Sequence, residues 1–147
     1  MKRSEILGLA AAALVTGSAG AQAQYSNGTI KIGVMNDQSG TYADLAGQGS
    51  VWAARKAVAD YCKASKCHDK IEVVFADHQN KPDVGAGIVR KWFDVEQVDV
   101  VVDVPTSSVA LAVNQIAKEK NKVFLVSGAA ASDLTGPACT PNTVHWT

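Results

Sequence analysis

From Ile30 onward, short β-branched runs alternate with stretches in which apolar residues fall three or four apart. Ile30-Lys31-Ile32-Gly33-Val34-Met35 predicts a first strand, closed by the turn-rich Asn36-Asp37-Gln38-Ser39-Gly40. The order Val51, Trp52, Arg55, Val58, Ala59, Cys62 predicts a helix from about Gly47 to Cys62 with that set on its inner face. Ile71 to Ala76 reads as a second strand, and Pro82 opens a second helix carrying Val84, Ile88, Val89 and Trp92 inward. The run Val98 to Val104, bounded by Pro105, reads as a strand buried on both faces. After Thr106-Ser107-Ser108, a third helix follows with Val109, Leu111, Val113 and Ile116. Val123 to Val126 makes a fourth strand, Asp133-Leu134 a short helix, and Asn142 to Thr147 opens a fifth strand.

Alternation at this spacing is that of right-handed crossover units. It predicts an α/β fold with a doubly wound parallel sheet and helices on both faces. In such a sheet, ligands enter beyond the carboxyl ends of the strands. The informative segments are therefore Asn36 to Tyr42, Asp77 to Asn80, Pro105 to Ser108 and Ser127 to Ser132, all small or polar.

The N-terminus has a separate logic. Lys2 and Arg3 precede an apolar run from Ile6 to Val15, and Ala21-Gln22-Ala23 supplies a small-x-small cleavage pattern. Residues 1–23 read as a secretory signal peptide cut after Ala23, which leaves 24–147 as the mature chain. Beyond the leader no apolar stretch is long enough to span a bilayer. With 14 basic and 14 acidic residues the net charge is zero. No basic field exists for a phosphate backbone, so a nucleic-acid partner is not expected.

Export places Cys62, Cys67 and Cys139 in an oxidising compartment, where an odd number permits at most one internal bridge. Cys62 and Cys67 flank a short polar turn that a disulfide can span, the alternative being two unpaired thiols. A metal site is not expected, because His68 is the only further ligand near that pair. Cys139 is left over. The chain stops at His145-Trp146-Thr147 without a polar tail, which suggests a fragment or a truncated reading frame.

Catalytic signatures are absent: there is no G-x-S-x-G elbow, no phosphate-binding P-loop and no G-x-G-x-x-G after the first strand. Neither an enzyme nor a cofactor is expected. His68, His78 and His145 stand apart and read as surface or hydrogen-bonded structural residues, and Asp77 reads equally as a turn residue or a ligand contact. Two segments place N–H groups beside hydroxyls at a helix start: Thr106-Ser107-Ser108, and Ala129-Ala130-Ala131 before Ser132. Such a start holds a small carboxylate without Arg or Lys, although its hydroxyls also serve simply as caps.

The order of these short motifs resembles the N-terminal lobe of periplasmic substrate-binding proteins of the leucine/isoleucine/valine type, receptors of branched-chain amino-acid ABC transporters. The residues that carry it are Ile30-Lys31-Ile32-Gly33-Val34 with Ser39-Gly40, Asp77 with Gln79 and Pro82, and Val98 to Val102 before a hydroxyl-rich loop. Ser132-Asp133-Leu134-Thr135-Gly136 and Pro141-Asn142 extend it. The resemblance implies a type I periplasmic binding fold in which only the first of two lobes is present. It implies a small-molecule carboxylate or amino-acid ligand, a membrane permease as partner and a periplasmic location. It maps ligand contacts onto Tyr42, Thr106, Ser107, Ser108, Ala129, Ala130 and Ala131. Pro105-Thr106-Ser107-Ser108 stands where amino-acid binders carry a serine run, and Ala129 to Ala131 where they commonly place a threonine. The departure favours a carboxylate without an ammonium group.

Two other readings share the alternation. A ligand-sensing ectodomain would use the same fold to signal through a membrane receptor. A phosphoacceptor receiver domain would place Asp103 at the tip of the third strand, but it needs an acidic pair after the first strand where only Asp37 stands.

Overall fold

The computed structural model describes residues 28–147 apart from 66, 68 and 69. Its elements are β1 (Thr29–Asn36), α1 (Gly47–Ser65), β2 (Lys70–Asp77), α2 (Pro82–Lys91), β3 (Val100–Asp103), α3 (Ser107–Lys120), β4 (Val123–Val126) and β5 (Thr143–His145). The expected leader over residues 1–23, its expected cleavage point and His68 lie outside the described residues. Among the described residues no helix is long and apolar enough to cross a membrane.

All strands pair in parallel in the order β2-β1-β3-β4-β5. Ile32 of β1 stands between Val73 of β2 and Val100 of β3. The crossover from β1 to β2 runs one way along the sheet, and those that follow run the other. Right-handed connections therefore put α1 on one face and α2 with α3 on the other. The reversal falls between β1 and β3, so the loops after these strands splay apart and leave a crevice.

The core sits on the α2/α3 face. Met35, Val101, Phe124 and Val126 point there from the strands, against Val89, Trp92 and Phe93 and against Val109, Val113, Ile116 and Ala117. Each large side chain buried this way contributes about 1.5–3 kcal/mol. Two close approaches depend on glycine. A Cβ on Gly33 would lie 2.5 Å from Cζ3 of Trp92, and one on Gly85 would lie 2.6 Å from Cγ1 of Val109. The latter lets α2 pack tightly on α3. A single π turn, Trp92–Glu96, ends α2 and swings Trp92 and Phe93 into this core.

The opposite face differs from the sequence expectation. Val51 of α1 is buried and Ala54, Val58 and Cys62 are half-buried, but Trp52 is 68% exposed and Arg55 and Ala59 also face solvent. Nor is β3 buried on both faces: Val101 is fully buried, whereas Val100 and Val102 are half-buried. The reason is coverage. Two helices blanket one side of the sheet, while α1 packs chiefly on β1 and β2.

Cys62 and Cys67 are bonded across the end of α1, with Cα atoms 4.3 Å apart, and Cys139 is free and exposed. A buried amide locks the C-terminal segment to α3. Asn114 donates from Nδ2 to the Ala138 carbonyl at 2.7 Å, and its Oδ1 accepts from the Thr140 and Thr143 hydroxyls at 3.1 and 2.6 Å.

Candidate functional site

At the carboxyl ends of the strands an open cleft of about 580 Å³ is lined by Tyr42, Leu45, Asn80, Pro105, Thr106, Ser107, Ser108, Gly128 and Ala130. Each wall comes from the loop after a different strand of β1 to β4. No carboxylate, Lys, Arg or His is among these lining residues.

The β1 loop is built on an acid. Asp37 is fully buried, and its carboxylate accepts the N–H of Gly40 and of Tyr42, each at 2.9 Å. This turn carries Tyr42 and Leu45 to the rim, where they are 39% and 76% exposed. Asp77 joins the first two loops by accepting from the Gln38 N–H at 3.0 Å, the Ser39 hydroxyl at 2.6 Å and the Gln79 N–H at 2.7 Å. Burial raises its pKa, but these donors outweigh burial and hold the carboxyl below its ordinary value. Asp77 is therefore a turn residue.

Asn80 reaches the cleft from a turn in which Gln79 and Asn80 both adopt the left-handed region, with φ of 52° and 55°. His78 beneath it is fully buried. Its Nδ1 accepts the Asn80 N–H at 3.0 Å, and its carbonyl accepts from the Lys81 N–H at 2.9 Å. The hydrogen-bonded structural role read from the sequence fits this ring.

Beyond β3 the backbone takes an unusual route. Asp103 and Val104 have φ of 80° and 55°, left-handed values that cost about 1–3 kcal/mol each and are least suited to Val104, which is β-branched and precedes Pro105. Asn36 Nδ2 and the Ser127 hydroxyl hold the Asp103 carboxylate at 3.0 and 3.1 Å, and the Val104 N–H donates to the Met35 carbonyl at 2.9 Å. The kink delivers Thr106 as the N-cap of α3.

At that N-cap the hydroxyl makes no capping hydrogen bond. Thr106 Oγ1 is buried without a hydrogen-bond partner among the described residues. The next N–H groups, of Ser107, Ser108 and Val109, have no acceptor four residues back within the helix. The first turn of α3 carries no acid to offset its positive end. These features suit an anion.

The Ala129–Ala131 segment is arranged differently from Thr106–Ser108. Ala130 lines the cleft, whereas Ala129 is fully buried and its carbonyl accepts from His145 Nε2 at 2.6 Å and the Thr147 hydroxyl at 2.8 Å. Ala131 caps a single 3-10 turn, Ser132–Leu134, anchored by buried Leu134. That turn is too short to repeat the dipole of α3. Leu45, outside every segment read from the sequence, and Asn80, inside the Asp77 to Asn80 segment but not named as a contact, complete the walls. No periodic signal marks either residue, since each owes its place to a turn held by a buried side chain near it in sequence, Asp37 before Leu45 and His78 before Asn80.

A second groove of about 250 Å³ opens on the α1 side, lined by Val34, Ser50, Ala53, Val102, Asp103, Leu125, Ser127 and Trp146. It contains the Asp103 carboxylate, which repels an anion.

A family model described as periplasmic binding protein matches residues 29–147. Among solved structures, the chain is 44% identical to a periplasmic binding protein from Burkholderia mallei, with a TM-score of 0.76 over 82% of this chain and 32% of that one. It is 38% identical to a branched chain amino acid ABC transporter periplasmic ligand-binding protein from Burkholderia xenovorans LB400, with a TM-score of 0.72 over 78% and 30% of the two chains. An ABC transporter solute binding protein from R. palustris, solved in complex with benzoate, is 28% identical, with a TM-score of 0.65 over 79% and 32%. A comparison with curated proteins found no match. The aligned part amounts to about a third of the length of each of these solved relatives. With a parallel sheet reversing between β1 and β3, an uncharged cleft at the α3 N-terminus and these likenesses together, the chain belongs to the periplasmic binding protein family.

Proposed function

We propose that this chain is the first lobe of an extracytoplasmic solute receptor that holds a small carboxylate at the N-terminus of α3 and delivers it to the membrane permease of an ABC transporter. The observation that carries the reading is Thr106, a cleft-lining N-cap whose buried hydroxyl caps nothing. A carboxylate there accepts from that hydroxyl and from the free N–H groups of the first turn, and it meets the positive end of the helix dipole. In the family a second lobe closes over such a site and excludes water, which strengthens each hydrogen bond.

The wall of this lobe carries no acid, so an ammonium group has to find its counter-charge on the second lobe, whereas a ligand without one needs none. Tyr42 and Leu45 offer an apolar rim suited to a ring or aliphatic body. Benzoate is the natural probe, since a relative sharing 28% identity was solved with it. The receptor role is one of binding and release rather than catalysis. The exported form is proposed to begin at Gln24, with residues 1–23 removed.

Calorimetry with benzoate and with leucine is the test, on this chain and on a form extended by a second lobe. The expected result is weak binding by the single lobe and tighter binding of benzoate than of leucine by the two-lobed form. Tight leucine binding with no response to benzoate would overturn the carboxylate preference. Full affinity after Thr106→Val, combined with replacement of Ser107 by Pro to remove a first-turn N–H, would move the site away from α3.

A further inference from the structure

The turn that brings Asn80 to the cleft is held in a strained form by few anchors, and one of them titrates. Gln79 and Asn80 both have positive φ. The Gln79 N–H is taken by Asp77, the Lys81 N–H by the His78 carbonyl and the Asn80 N–H by His78 Nδ1. To accept that N–H, Nδ1 must be unprotonated, so the neutral ring carries its proton on Nε2. Nε2 is buried and has no hydrogen-bond partner among the described residues. The imidazole is thus bound to its surroundings chiefly through the one nitrogen that a second proton would occupy.

We propose that His78 is a proton-operated positioning residue for the cleft: the unprotonated ring holds Asn80 in the cleft wall, and protonation of Nδ1 releases the turn and weakens ligand binding. The binding part of this inference rests on the cleft being the ligand site.

The groups acting on the ring are known on every side. The carboxylates of Asp37 beyond β1, Asp77 at the end of β2 and Asp103 at the end of β3 favour its charged form. α2 meets it through Gly85, beside which stand Val109 of α3 and Met35 of β1, none of them titratable. Burial outweighs the three acids and holds the His78 pKa below its ordinary value of 6.5. Protonation turns Nδ1 from acceptor to donor, opposed to the Asn80 N–H. The ring must then turn or the backbone must move, and two left-handed residues lose the contact that kept them so. The periplasm follows external acidity, so a receptor built this way releases its solute as the medium acidifies.

The test is nitrogen NMR of the chain between about pH 7.5 and about pH 5.5, across the ordinary histidine range. His78 ring nitrogens are expected to titrate with a midpoint below 6.5, and the Asn80 amide to move on the same curve while amides of α3 and β3 stay fixed. His78→Asn keeps an acceptor where Nδ1 stood and removes the titration, so its Asn80 amide should stay in the neutral position throughout. His78→Phe should show the released position even at neutral pH. Where benzoate binds, its affinity should fall about tenfold per pH unit below the midpoint, and not in His78→Asn. An Asn80 amide that ignores the ring titration overturns the proposal, as does loss of all amides in one step with it. If benzoate binds at no pH, the ligand assignment fails while the NMR arms still decide the switch.

Discussion

The buried carboxylate of Asp37 accepts the backbone N–H of Tyr42 at 2.9 Å, so an acid at the tip of β1 sets an aromatic residue on the cleft rim. The same carboxylate takes the Gly40 N–H. Removing it leaves two N–H groups of a tight turn without their partner. Asp37→Ala is expected to lower stability by about 2–3 kcal/mol, read from urea denaturation, and to weaken benzoate binding through Tyr42. An unchanged urea midpoint would show that the turn holds without its acid.

Thr106 separates capping from binding. Thr106→Val removes a buried hydroxyl that has no partner and keeps the shape, so stability should stay level or rise by up to about 1 kcal/mol. Benzoate affinity should fall in the same variant. A clear loss of stability instead would reveal a structural role for the hydroxyl.

A glycine pressed against the core and one open to solvent should respond to alanine with opposite signs. Gly33→Ala drives a methyl into the ring of buried Trp92 and is expected to cost about 1–3 kcal/mol. Gly87 lies on the exposed side of α2 with open space around it, so Gly87→Ala should stabilise by about 0.5–1 kcal/mol. Thermal denaturation of the two variants decides it.

Acidification should destabilise the fold in two windows. The native state binds fewer protons at His78 than the unfolded chain does, because the folded pKa lies below 6.5. Stability therefore falls as pH drops below about 6.5 and levels off beneath the lowered value. Asp77, held below 3.8, contributes stability present above that value and lost as pH falls through its folded pKa. Urea midpoints measured against pH should show both declines, and His78→Asn should erase the upper one alone.

In exported protein, thiol labelling without reductant should modify Cys139 only, since Cys62 and Cys67 are bonded to each other. Replacing that pair by Ser should cost about 2 kcal/mol or less, because so short a loop restrains little of the unfolded chain. Three labelled cysteines in periplasmic protein would remove the bridge, and intact mass on the same sample checks for a start at Gln24.

The period changes along the chain determined the element order and the parallel sheet, with strand ends displaced by a residue or two: Val123–Val126 is the fourth strand as read, while the run from Val98 to Val104 is a strand only over Val100–Asp103. These features rest on local patterning, which a sequence carries directly. Loop chemistry pointed in the same way to Thr106, Ser107 and Ser108, because strand ends and helix starts are local too. What tertiary structure decided was everything that depends on partners distant in sequence. Trp52 faces solvent because α1 spans only part of the sheet, a matter of which elements lie beside it. Asn80 entered the cleft through His78, two residues away, and Tyr42 through Asp37, five away; these bonds are local but leave no periodic trace, and the packing that buries His78 and Asp37 fixes them. Ala129, alike in sequence to Ala130, is buried because His145 and Thr147 draw its carbonyl toward β5. A side chain's identity tells which bonds it is able to make, and the packing of the whole chain selects among them.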